Sequence, residues 1–428
     1  MREMKDSGIE WIRDIPKEWT VSRIKYIADI FGRIGFRGYT KEDFVDEGEG
    51  AISLSPSNIN GMDMSYEKCS YISWKKYYES PEIMVKEGDV IFVKTGSSFG
   101  KSSFISKLPM ESTINPQLIV FKNIKIDSNM FAYYIATKYI RAMSDLVVVG
   151  GTIPTMSQEK IKNFPVLIPP NASQSLIAKF LNDFSLNIDS ISEDIQKEIS
   201  LLEDYKKSVI IEAVTKGLNT DAEMKDSGIE WIGDIPKHWE ITKIGMLYNL
   251  RITKVSDTDY APLSVTKMGV LPQLETVAKT NAHDDRKLVK KGDFVINSRS
   301  DRRGSCGISD YDGSVSLINI VLEPKNNMSS GYYSWLFKTV QFADEFYKNG
   351  HGIVDDLWTT GWQDMKRIIL PVPHYSEQQQ IADYLDTKCS EIDTLIADKK
   401  RQFDILADYK KSLIYEYVTG KKEVPVNE

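Results

Sequence analysis

The chain has 428 residues and is short of the groups that metal and redox chemistry need. It holds three cysteines, Cys69, Cys306 and Cys389, odd in number and far apart, so neither a disulfide framework nor a zinc spacing can be built from them. Its four histidines are equally scattered, and no metal site is expected. No apolar run approaches the roughly 18 residues of a membrane span, and the opening MREMKDSG does not read as a signal peptide. A paired-carboxylate nuclease frame and a glycine-rich cofactor motif are also missing. What remains is ordinary globular composition, 41% apolar and 27% charged. The expectation is a soluble, reduced, cytoplasmic protein of two to three domains without membrane contact.

What is there is a duplication. Residues 4–19 read MKDSGIEWIRDIPKEW and residues 224–239 read MKDSGIEWIGDIPKHW, identical at 14 of 16 positions. The copies lie 220 residues apart, so each half is a domain-sized unit and not one turn of a solenoid. Turn signals at Asp6-Ser7-Gly8 and Asp14-Ile15-Pro16 flank an apolar pair, giving a short extended clip. Its tryptophans, Trp11 and Trp19 with Trp231 and Trp239, are expected to dock on a partner.

A second shared element is a turn leading into a buried strand, Lys86-Glu87-Gly88-Asp89 and Lys290-Lys291-Gly292-Asp293, at an offset of 204 residues. Both strands open into polar loops whose chemistry differs. One carries Lys94, Ser97, Ser98 and Lys101; the other carries Asn297, Arg299, Arg302 and Arg303. A kept frame with changed loop residues is the pattern of two different ligand specificities. Residues 96–102, GSSFGKS, fall one residue short of a phosphate loop, and Pro109 rules out a long helix behind them. Asn115-Pro116-Gln117-Leu118 likewise falls short of an amino-methyltransferase motif. Earlier, residues 32–39 form a glycine-punctuated loop with Arg33 and Arg37, readable as a phosphate or base contact or as a solvated turn. Each half continues with an aromatic amphipathic helix, residues 130–143 and 332–346, whose aromatics are expected in the core.

The strongest periodic signal closes each half. Leu181, Phe184, Ile188, Ile191, Ile195, Leu202, Tyr205 and Val209 follow alternating spacings of three and four. The second series runs Leu385, Ile392, Leu395, Phe403, Leu406 and Leu413, opening on a Ser376–Gln379 capping box. Both share Asp-Tyr-Lys-Lys-Ser, at 204–208 and 408–412, and stop at Gly217 and Gly420. Each helix is about 45 residues, roughly 65 Å. Such lengths need a partner, and an antiparallel intramolecular pair supplies it. Charge agrees: residues 166–223 hold 5 basic against 10 acidic groups and residues 374–428 hold 8 against 11, so these segments account for −8 and the rest for +1 of the net −7. The two larger segments are therefore neutral and free to gather basic groups on one face.

The expected fold is α+β: two pseudo-symmetric globular α/β target-recognition domains separated by two long antiparallel helices forming a coiled coil. The expected boundaries are 1–167 and 220–371 for the domains with their clips, 168–219 for the first helix, and 372–428 for the second helix and tail. The doubled clip, the Gly-Asp-strand-loop frame and the helix start Glu377-Gln378-Gln379-Gln380-Ile381-Ala382 resemble type I restriction-modification specificity (S) subunits over nearly the whole chain. That resemblance implies a non-catalytic DNA-specificity subunit in which each half reads one part of a bipartite, asymmetric double-stranded site. It implies docking of two methyltransferase (M) subunits, with Tyr205 and Tyr409 on the helices as candidate contacts alongside the clip tryptophans, and restriction (R) subunits attached through the complex. AdoMet and ATP would be used by the partners and no cofactor by this chain. Two other classes stay open: a fused restriction–methylation enzyme, and a DNA-free scaffold joining two protein-binding domains.

Overall fold

A computed structural model of the chain describes residues 2–33, 38–147, 156–273, 284–325, 328–352 and 358–425. Helix and sheet are mixed, and two helices dominate, Asn171–Lys216 of 46 residues and Tyr375–Val418 of 44. The chain divides into two compact units, one of Met1–Ile195 with Arg401–Glu428 and the other of Gln196–Lys400. These units are offset from the sequence repeats, because each long helix contributes its two ends to different units.

The clip explains the offset. It is a β-hairpin, Met4–Asp6 against Asp14–Pro16 in the first unit and Met224–Asp226 against Asp234–Pro236 in the second, in the same register. Asp6 and Asp226 each accept the backbone N–H two residues on, at 2.9 and 2.8 Å, which tightens the same turn twice. Trp19, buried to 1% exposure, packs in a core with Leu413, Tyr417 and Val418 from the end of the second long helix. In the second unit Trp239 packs with Val209, Ala213 and Val214 from the end of the first long helix. Both helices stop at a left-handed glycine, Gly217 (φ 75°) and Gly420 (φ 71°). A Cβ on Gly420 would stand 2.5 Å from Pro16, so the helix end seats directly on the clip. One of the two positions that differ between the clips has a backbone reason. Gly233 sits at φ 70° where Arg13 adopts φ 61°, a conformation that disfavours a residue with a Cβ.

The first unit holds a four-stranded sheet ordered Ser102–Phe104, Val90–Val93, Leu118–Lys122, Asp29–Phe31, and a five-stranded sheet with Gly50–Leu54 at its centre. The second unit repeats the four-stranded sheet as Cys306–Ile308, Phe294–Asn297, Asn319–Pro324, Tyr248–Leu250. The Gly-Asp turns are locked alike: Asp89 and Asp293 accept the N–H of Lys86 and Lys290 at 2.9 and 2.8 Å. Asp293 is also held bidentately by Arg251, at 2.6 and 2.9 Å.

Two expectations are corrected. The aromatic helices are each broken in two, Ser128–Ile135 with Lys138–Val147 and Ser330–Phe337 with Val340–Lys348. Thr137 and Thr339 make the break, their hydroxyls accepting the N–H of Ile140 and Phe342 at 3.5 and 3.2 Å as new caps. The aromatics themselves (Tyr133, Tyr134, Tyr332, Tyr333) are core residues as expected. The capping-box glutamine is not the anchor of the second long helix. Gln378 donates to Pro373 O and accepts from Ser329 N–H, as Gln174 does with Pro169 O and Asp127 N–H.

The helix seam follows the 3/4 rhythm at six of the eight expected positions, Phe184 and Leu202 being half-buried. Leu181, Ile188, Ile195 and Val209 are buried, but Ile191 and Tyr205 are exposed at 47% and 49%. The intervening seam positions lie one residue later, at Ser185, Ser192, Ile199 and Lys206, all buried or half-buried. On the second helix Cys389 and Ile396 likewise take the seam and Leu395 faces out. Small and charged residues at alternate seam positions hide them from a search for apolar periodicity. Lys206 reaches Asp393 at 2.7 Å in the second unit, and Lys410 reaches Asp189 at 2.7 Å in the first. Within each unit these contacts run antiparallel: in the second unit Glu198 pairs with Lys399, further along the partner helix than Asp393.

Candidate nucleic-acid interface

The two loops that differ in chemistry share their backbone. In the first unit Val93 N–H donates to Lys101 O at 2.8 Å and Lys101 N–H to Ser98 O at 3.2 Å. In the second Asn297 N–H donates to Ser305 O and Ser305 N–H to Arg302 O, both at 2.9 Å. Gly100 (φ 83°) and Gly304 (φ 74°) supply the left-handed residue that each reversal needs. Residues 94–101 return into the strand Ser102–Phe104, so the Gly-Lys-Ser run opens a strand and not the helix of a phosphate loop.

On the first loop Ser97 and Lys101 are exposed, while Ser98 and Lys94 are half-buried. Burial lowers the ammonium pKa of Lys94, and no described residue gives that ammonium a hydrogen bond or ion pair. Phe99 anchors the loop: it is buried, and the Arg141 guanidinium lies 5.2 Å from its ring. Arg33 does not join this loop. It is 4% exposed, donates to Ile114 O and Thr113 Oγ1 at 3.4 Å and lies 5.0 Å from the Tyr39 ring, so its charge holds the fold together and is not offered to a ligand. Arg37 lies outside the described residues.

On the second loop Asn297 is 9% exposed and its Oδ1 accepts the N–H of Arg299 at 3.0 Å, shaping the loop from inside. Arg303 is also engaged, paired with Asp344 and 5.1 Å from the Tyr347 ring. It stands where Phe99 stands in the first loop, and both tie the loop to the second piece of the broken helix. Arg299 and Arg302 are exposed, Arg302 beside Asp301 at 3.6 Å. The loop-tip groups open to a ligand are thus Lys94, Ser97, Ser98 and Lys101 in one unit and Arg299 and Arg302 in the other.

The proposed partner contacts also divide. Trp19 and Trp239 are core residues and present no surface. Trp11 is 56% exposed beside Tyr139 and Tyr415, whereas Trp231 is half-buried against Phe342. Tyr205 and Tyr409 are each 49% exposed. In the second unit Tyr205 lines an apolar groove of about 490 Å³ with Leu201, Leu202 and Leu395, rimmed by the Glu198–Lys399 pair. The equivalent residues of the first unit, Ile405, Tyr409 and Ile191, are exposed as well.

The model of the type I restriction modification DNA specificity domain matches twice, at residues 16–201 and 236–402. The chain belongs to that family. It is similar to the type I restriction enzyme MjaVIII specificity subunit of Methanocaldococcus jannaschii, 24% identical over 80% of this chain and 81% of the relative. It is similar also to the putative MjaX specificity subunit of the same organism, 23% identical over 96% of both chains. In fold it matches a chain solved in work on complex assembly and conformational transition of the type I R-M system, with a TM-score of 0.71 at 12% identity over 95% of this chain and 99% of that one. The HsdS subunit from Thermoanaerobacter tengcongensis matches with a TM-score of 0.55 at 14% identity, over 95% and 98%. The chain is therefore a type I specificity subunit, a recognition component and not the catalytic one. No helix among the described residues is long and apolar enough to cross a membrane.

Proposed function

We propose that each unit reads one part of a split, asymmetric double-stranded DNA site. One observation carries the reading: two loops with the same backbone bonds present different exposed side chains, Ser97 and Lys101 in one unit and Arg299 and Arg302 in the other. A shared frame positions the contact, and changed tips change the sequence contacted. Arginine takes guanine through O6 and N7, each bidentate pair discriminating by about 1–3 kcal/mol, while lysine and serine reach bases or phosphates. The net charge of −7 does not oppose this, since the excess acid lies in the helix-bearing segments.

The long helices in this reading dock two methyltransferase subunits, through which restriction subunits join. The apolar groove beside Tyr205 and the exposed equivalents Ile405, Tyr409 and Ile191 support it, because such residues occur once in each unit and suit two copies of one partner. AdoMet and ATP then belong to the partners, and this chain binds neither.

Mapping methylated positions in cells that carry the chain with its partners tests the proposal. The expected motif is two unlike half-sites separated by unspecified bases, lost when the chain is removed. A single continuous motif, or methylation unchanged without the chain, would overturn it.

A further inference from the structure

We infer that the turn beside each loop, residues 115–117 in the first unit and 316–318 in the second, is a second base-reading element, with Gln117 taking an adenine and Ile318 the methyl group of a thymine. This rests on the DNA reading proposed above and names residues within it. The turns occupy the same place in both units. Lys94 N–H donates to Gln117 O at 2.9 Å, and Ser298 N–H donates to Ile318 O at 3.3 Å. The flanking strands are in the same register, Val93 opposite Leu118 and Asn297 opposite Asn319. Each turn is thus fastened to the first residue of its loop and presented at the same end of the sheet.

Each turn is also braced by a side chain, from within in the first unit and from the loop in the second. Asn115 Oδ1 accepts the N–H of Gln117 at 2.9 Å and Asn115 Nδ2 donates to Gln117 Oε1 at 3.2 Å, which orients the amide and leaves its NH₂ free to donate. In the second unit the Ser298 hydroxyl donates to Ile318 O at 2.6 Å. At the tips the chemistry diverges. Gln117 is exposed, and in its place stands Ile318, 41% exposed beside Leu317 at 39%. Two adjacent aliphatic side chains at the tip of a braced turn leave apolar area in water that a thymine methyl would cover. A glutamine amide fits adenine, accepting from N6 and donating to N7. Lys94, whose backbone N–H holds Gln117 O and whose half-buried ammonium has no partner among the described residues, adds a basic group to the adjoining loop that suits the electronegative groove of a duplex.

The test uses the full chain assembled with its methyltransferase partner and maps methylated sites for Gln117→Ile and Ile318→Gln. Gln117→Ile is expected to lose or replace one adenine in a single half-site, with discrimination there falling roughly 5- to 150-fold, the equivalent of about 1–3 kcal/mol. Ile318→Gln is expected to change one thymine in the other half-site only. Should Gln117→Ile fail to assemble, Gln117→Glu keeps the shape but cannot donate to N7, and the same adenine must be lost. An assembled variant with an unchanged motif, or one changed in both half-sites, overturns the inference. Failure of the parent reading looks different: the wild-type assembly would then show no split motif at all.

Discussion

Arg299 and Arg303 lie four residues apart on one loop, and their surroundings assign them different parts. Arg303 is paired with Asp344 and lies near the Tyr347 ring, so its charge is matched by a surface carboxylate of its own unit. Arg299 is exposed, with its backbone bridged to Thr359 and its side chain directed by no described partner. Arg299→Ala should therefore leave the melting temperature unchanged while relaxing or abolishing only the half-site read by the second unit. Arg303→Ala should lower stability by about 1 kcal/mol, since both partners of the pair are half exposed. Thermal melts and methylation maps of the two variants separate these outcomes. If Arg299→Ala instead weakened both half-sites equally, its role would be a phosphate anchor. The sequence shows which residues share this loop, because the Gly-Asp turn and strand mark its start. It does not show that Arg303 is paired, since Asp344 and Tyr347 are brought to it by tertiary packing, nor that Asn297 is buried beneath the loop.

The long helices carry a polar pairing that apolar periodicity conceals. Lys206 and Lys410 occupy equivalent seam positions 204 residues apart, and so do their partners Asp393 and Asp189. A lysine at a seam position favours the alignment in which it meets a carboxylate, a known means of fixing register. Asp189→Lys should place two cations together and destabilise the first unit by about 1 kcal/mol, or roughly 2–4 °C in melting temperature. Adding Lys410→Asp should restore most of that loss. If the double variant were no more stable than the single, the pair would contribute nothing to register. On the first helix every second position of the heptad is legible in the sequence because it is leucine, isoleucine or valine. The alternate positions (Ser185, Ser192, Lys206) are not, and Ile191 and Leu395 mimic them one residue early.

For the whole molecule, the duplication is plain in the doubled clip, and it predicts two domain-like bodies and two matching helices. How the chain shares its helix ends between the units is harder to read. Trp19 and Trp239 look like partner anchors in a list of residues. Only the packing of Val418 and Val214 against them makes each clip the seat for the end of the other half's helix. The frame is thus repeated, and the variable segments 28–165 and 248–367 lie between repeated parts. The account's central claim is that these segments are independent readers. Its most direct measurement replaces residues 248–367 by the corresponding segment of a relative and maps methylation in cells supplying the partners. The account predicts that one half-site changes to that of the relative while the other stays the same. A folded, active hybrid in which both half-sites changed, or neither did, would contradict it.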